Sequence, residues 1–161
     1  MHPPTHLSRF AKPFVVVSSA ALLLIGCTNE GASPSAADGT GTTVNVALQE
    51  WAVLPDPDSV AAGEVTFSIT NDGPVDVHEF VVIATDLDAA ELPTDETGAV
   101  TETGEGMEVV DEVEDIPVGE TQELTVSLDA GNYVLICNIY SEEEAEAHYA
   151  MGMHVAFTVT D

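Results

Sequence analysis

Several short segments of this chain alternate apolar and polar residues with a period of two, and turn-forming residues separate them. Val44, Val46 and Leu48 share one parity; Val65, Phe67 and Ile69 alternate with Thr66, Ser68 and Thr70; Leu124, Val126 and Leu128 repeat the pattern. Side chains alternate across a strand, so this period specifies half-buried β-strands rather than helices. Trp51 and Val53 take the opposite parity to Val44–Leu48, which implies a bulge near Glu50. Asn71-Asp72-Gly73-Pro74 and Asp129-Ala130-Gly131-Asn132 are turn sequences. Further strands are expected from Val77 to about Ala84, Tyr133 to Ile139 and Met153 to Val159. The acidic, Gly/Thr-rich stretch from Thr85 to Val109 has no sustained apolar period and reads as loop, with one helical turn around Ala89. About seven short strands and no long amphipathic helix predict an all-β fold, an antiparallel β-sandwich. Roughly 120 residues, 43–161, bury an adequate core for it without disulfides.

The front of the chain is different. Arg9 and Lys12 are the only basic side chains, and they precede an apolar run from Phe14 to Ile25. A basic start, a short apolar core and a small-residue exit are the parts of a secretory signal peptide. A membrane span takes about 20 apolar residues, more than this run holds. The exit, Leu24-Ile25-Gly26-Cys27, resembles the lipobox of bacterial lipoproteins. That resemblance implies a signal peptide over 1–26 and a lipidated Cys27, with the protein exported and anchored in a membrane by its acyl chains. Residues 27–42, rich in Gly, Ala, Ser and Thr, read as the lipidated N-terminus and a flexible tether.

Charge and cysteine usage narrow the function. The 29 acidic residues all follow Cys27, and no Lys or Arg does. Nucleic acid is therefore excluded as an electrostatic partner, as are acidic lipid headgroups. A basic protein partner and a surface adapted to high salt both remain open. With Cys27 lipidated, Cys137 is the one thiol left, so no internal disulfide forms. An unpaired cysteine in an exported protein points to reactivity or to metal.

Cys137 is followed by His148 and Met153 within 17 residues, and His78 lies upstream on a separate apolar segment. A thiolate, two imidazoles and a weak thioether form a ligand set suited to a copper ion that cycles between Cu(I) and Cu(II). Parity agrees with this set. Tyr133, Leu135 and Cys137 share a strand face; Met153, Val155, Phe157 and Val159 share another; His78 shares its parity with Phe80 and Val82. Met151 is a rival to Met153, while His154, of opposite parity, is expected at the surface. Trp51 is expected in the core, and Met107 in packing.

The ordered set His78, Cys137, His148 and Met153 resembles the signature of the blue copper proteins, or cupredoxins, of the plastocyanin and azurin kind. Val77-His78-Glu79-Phe80 and Gly131-Asn132-Tyr133-Val134-Leu135-Ile136-Cys137-Asn138 are also similar to exported bacterial cupredoxin domains. The resemblance covers most of residues 43–161. It implies a Greek-key sandwich holding one copper ion, single-electron transfer rather than catalysis, a redox protein partner such as a cytochrome or oxidase, and His148 as the exit route. Two features depart from the pattern. Ten residues separate Cys137 from His148, longer than in plastocyanin, and Glu79 stands where plastocyanin-like proteins often carry Asn.

Glu142, Glu143, Glu144 and Glu146 fill that longer loop, as a docking patch for a basic partner or as a solvated helical turn. Two rival functions follow from the same residues: copper binding and delivery, or a metal-free interaction module.

Overall fold

The structure, a computed structural model, describes residues 41–161. Cys27, the signal sequence and nearly all of the tether lie outside the described residues. The described strands, in chain order, are β1 (Thr42–Gln49), β2 (Ala52–Asp56), β3 (Ser59–Ala61), β4 (Gly63–Asn71), β5 (His78–Thr85), β6 (Met107–Ile116), β7 (Thr121–Leu128), β8 (Gly131–Ile136), β9 (Tyr140–Ser141), β10 (Glu146–Ala147) and β11 (His154–Thr160). A single helical turn, α1 (His148–Met151), precedes β11.

Two sheets carry the architecture. One runs β2-β1-β4-β7 and the other β3-β11-β8-β5-β6. Their facing sides supply the main core, with Val44, Val46 and Leu48 from β1, Val65, Phe67 and Ile69 from β4, Phe80 and Val82 from β5, and Phe157 and Val159 from β11. Phe67 meets the rings of Phe80 and Phe157 at centroid distances of 5.2 and 5.7 Å, so aromatic contacts stitch the two sheets together. The expected β-sandwich is what the chain forms.

Direction and detail differ in places. β1 pairs with β4, and β3 with β11, in parallel; the other pairings are antiparallel. Local alternation carries no information about the direction of a partner far away in sequence. The parity change after Leu48 is a hairpin rather than a bulge, with Gln49 opposite Ala52 and Glu50-Trp51 as its two-residue turn. Bulges lie instead in the β5–β6 ladder, between His78 and Phe80 and between Val82 and Ile83.

β6 extends through a region whose alternation is weak, and acidic side chains obscured it. It is an edge strand, and Asp111, Glu112 and Glu114 are charges of the kind that keep such an edge from pairing with another chain. The preceding segment, 86–106, is mostly irregular as expected. It has a tight turn at Ala89, closed by the Glu91 N–H donating to the Asp88 carbonyl at 2.9 Å. Its contribution to packing was not legible in its composition. Leu92 and Val100 bury against Val81, Ile83, Val134, Ile136 and Tyr149, forming a second core on the outer face of the β5–β8 pair. Met107 packs against the same cluster, as expected.

Candidate metal centre

His78 opens β5 and is fully buried. Cys137 follows the last residue of β8, at the end of the core-facing row Tyr133–Leu135, and is also fully buried. His148 starts α1 and is 2% exposed. Their donor atoms converge: His78 Nδ1 lies 3.2 Å from His148 Nδ1, Cys137 Sγ lies 3.4 Å from His148 Nδ1 and 3.8 Å from His78 Nδ1. Donors that share one ion through bonds of about 2.0–2.3 Å stand roughly 3.3–3.8 Å apart, close to the 3.2–3.8 Å found here. Two imidazoles and a soft sulfur facing one point suit copper, and the site fits one such ion.

Met153 precedes β11, is fully buried and belongs to the same core as Cys137. Its backbone ties the other two positions together. The Cys137 N–H donates to the Met153 carbonyl at 3.0 Å, and the Met153 N–H donates to the His148 carbonyl at 3.1 Å. Gly152, at φ +118°, makes the left-handed turn that allows this closure, and its N–H donates to the Tyr149 carbonyl at 3.0 Å. Met151, the rival, is 43% exposed.

The acidic insert is a small hairpin, not a helical turn. β9 and β10 pair antiparallel around the tip 142–145, and the His148 N–H donates to the Ile139 carbonyl at 2.9 Å at its base. The extra residues are thus fenced off from the backbone that holds His148. Glu142, Glu143 and Glu144 are exposed and Glu146 is half-buried.

Burial governs the electrostatics. It pushes the Cys137 thiol up to about 12, against the Glu79 N–H that donates to Sγ at 3.4 Å. It also pushes both imidazoles below the ordinary histidine range. Without metal the three donors are therefore neutral, and an ion must displace the thiol proton to bind. Glu79 itself is pushed up to about 7, by burial first and then by Glu102, Glu112 and Glu114, against the Asn138 N–H that donates to its Oε1 at 2.8 Å. Glu79, next to His78, thus holds Asn138, next to Cys137, at the position where plastocyanin-like proteins often carry Asn. Glu50 is also moved by its surroundings. Partial burial raises it, but the N–H groups of Asp76 and Val75 outweigh that and leave it below the ordinary carboxylate range.

Residues next to the donors anchor the 86–106 segment. Asn138 pairs with Val100 in both directions, accepting its N–H and donating Nδ2 to its carbonyl at 3.0 Å. The Tyr149 hydroxyl donates to the Ala89 carbonyl at 2.8 Å and accepts the Leu92 N–H at 3.0 Å. Trp51, expected in the core, is half-buried beside the site, its ring edge-on to that of His148 at 5.1 Å. His154 is likewise half-buried and packs on the Tyr149 ring at 5.0 Å. A surface groove of about 300 Å³, lined by Asp76, Val77, Asp115, Ile139 and Ser141, reaches His148. Glu50 was missed by sequence reasoning as a neighbour of His78; the parity change beside it was the available signal.

No family model and no curated protein matches the sequence. Among solved structures the chain is similar to auracyanin from the photosynthetic bacterium Roseiflexus castenholzii, at 20% identity and a TM-score of 0.53, covering 76% of this chain and 100% of that one. It is similar to auracyanin A, a blue copper protein of Chloroflexus aurantiacus, at 21% identity and a TM-score of 0.52, covering 75% and 100%. An azurin from Methylomonas sp. strain J aligns at 16% identity with a TM-score of 0.50, covering 76% and 100%. The fold is that of the blue copper cupredoxins.

Proposed function

We propose that this protein is an exported, membrane-tethered carrier of single electrons, with His78, Cys137, His148 and Met153 as the ligands of one copper ion. The observation that carries the reading is the buried convergence of His78, Cys137 and His148, with donor atoms 3.2–3.8 Å apart. When bound, copper supplies a Cu(I)/Cu(II) couple, and this donor set is soft enough for one state and basic enough for the other. The protein's own residues do the rest. β5 and β8 are buried on both faces, so His78 and Cys137 are held by packing. Backbone hydrogen bonds fix His148 and Met153 relative to Cys137. His148, at the floor of the groove lined by Asp76 and Asp115, is the exit toward a partner. The acidic groove and hairpin suit a basic redox protein such as a cytochrome or oxidase.

The tether reading rests on Leu24-Ile25-Gly26-Cys27. Adding Cu(II) to the purified domain should give an intense visible thiolate-to-copper band; weak, labile copper indicates delivery instead, and no uptake indicates an interaction module. Detergent phase partitioning of the full chain against Cys27→Ser tests the anchor. Equal partitioning of both into the aqueous phase removes it.

A further inference from the structure

His78 Nδ1 faces the other two donors, so in a neutral ring that leaves Nδ1 free for metal the proton sits on Nε2. That Nε2 is buried and has no hydrogen-bond partner among the described residues. The nearest carboxylate is Glu50, with Oε1 at 3.8 Å. Glu50 belongs to the β1–β2 turn, in the opposite sheet from His78, and reaches across to the loop that leads into β5. Its Oε1 accepts the N–H groups of Asp76 at 2.8 Å and Val75 at 3.2 Å, while its Oε2 is buried and has no partner among the described residues. The space it occupies exists because residue 73 is glycine: a Cβ there would lie 2.6 Å from Oε1 and 2.8 Å from Oε2. Two buried polar atoms without partners, on His78 and on a carboxylate whose seat a Cβ at residue 73 would fill, are costly unless the two groups serve each other. The 3.8 Å separation is too long for a formed hydrogen bond. A cation held at Nδ1 polarises the ring and makes Nε2–H a stronger donor, which favours closing that gap.

We infer that Glu50 is a positioning residue for His78: its carboxylate accepts a hydrogen bond from Nε2–H, fixes the tautomer that frees Nδ1, and places a negative charge behind this ligand. The inference rests on the copper reading for its effect on potential, but its effect on the tautomer does not. A charge behind the imidazole favours the higher-charged ion, so it lowers the reduction potential and tightens Cu(II) relative to Cu(I).

The test uses Glu50→Gln, Glu50→Ala, Gly73→Ala and, as a control, Glu123→Gln on the exposed face of β7. In metal-free protein, long-range ¹H–¹⁵N correlations of the His78 ring should report the Nε2–H form in the wild type. They should report loss of that form in Glu50→Ala and in Gly73→Ala, where the seat is filled and no ionisable group changes. In copper-loaded protein, Glu50→Gln keeps the shape and the bonds to Asp76 and Val75. It should raise the potential and lower the ratio of Cu(II) to Cu(I) affinity, while Glu123→Gln leaves both in place. An unchanged His78 tautomer in both Glu50→Ala and Gly73→Ala, or equal potentials for Glu50→Gln and Glu123→Gln, overturns the assignment. If the wild type takes up no copper, the copper reading fails alone, and the tautomer in metal-free protein still decides the role of Glu50.

Discussion

The two sheets of the sandwich solve different problems. In the β2-β1-β4-β7 sheet one face is core and the other is solvent, so β1, β4 and β7 show clean alternation of buried and exposed residues. In the other sheet β5 and β8 are covered on both sides, by the opposite sheet and by the 86–106 segment, and six of the eight residues of β5 are buried. Every proposed ligand belongs to that doubly covered sheet or to its connections. Catalytic or redox side chains need fixed geometry, and burial on both faces removes the freedom of a strand end to move. The first sheet contributes stability and, through Glu50 in its hairpin, support from behind.

The comparison breaks most sharply in a pair of variants. Cys137→Ser should abolish the visible copper band and most copper affinity even where the metal-free protein is folded, at a cost of about 1–3 kcal/mol for a hydroxyl at this buried position. Phe67→Ala, in the first sheet, should cost about 3–5 kcal/mol in unfolding free energy. It should nevertheless retain the band at temperatures where the protein is folded. If Phe67→Ala erased the band while the protein remained folded, the division of labour between the sheets would be wrong.

Glu79 sharpens the picture of the doubly covered sheet. Its carboxyl is raised to about 7 by burial and neighbouring glutamates, so the folded state holds a proton that the unfolded state releases near 4.5. Stability from this group is full below about pH 4.5 and is lost as pH rises through 7. The shift corresponds to about 3 kcal/mol at most. His78 and His148, held below the ordinary histidine range, act in the opposite direction between pH 5 and pH 8, so the loss is read as the difference between wild type and Glu79→Gln. In denaturant titrations of metal-free protein, wild type should lose more stability, or gain less, from pH 5 to pH 8 than Glu79→Gln does.

A smaller effect separates the two methionines. Met153→Leu should keep copper and raise the potential, because a weak donor to Cu(II) is lost, whereas Met151→Leu, at an exposed position, should change neither. The reverse result in voltammetry would reassign the thioether ligand.

The smallest effect belongs to the hairpin. Replacing Glu142, Glu143, Glu144 and Glu146 by Gln should slow electron exchange with a basic cytochrome at low salt, with copper binding intact. The difference should shrink as salt shortens the Debye length to about 8 Å. The control replaces exposed acids elsewhere: Glu96, Glu105, Glu108 and Glu123. Glu102 is unsuitable because it accepts Asn138 Nδ2 at 3.1 Å, next to Cys137. Equal slowing in both variants means that total charge acts, not a docking patch.

Strand period and donor spacing are local properties, and the sequence carried them openly. The alternation in β1, β4 and β7 specified a sandwich because one face of each strand meets water. Tyr133, Leu135 and Cys137 shared a parity in the sequence, but Val134 and Ile136 on the other face of β8 are buried too, so that parity alone did not say which face meets the opposite sheet. Where burial is two-sided or charge covers an edge, that signal fades, which is why β6 was missed and why 86–106 read only as a loop. Pairing direction, the hairpin at Glu50-Trp51 and the closure of the acidic insert depend on which segments meet. Those meetings join residues tens of positions apart, so no local pattern records them. The approach of Glu50 to His78 is of this kind: it needs the turn of one sheet, the entry loop of the other and a glycine between them. The residue types that can hold a metal were set by the sequence; how a buried imidazole is supported from behind was decided only when the two sheets packed.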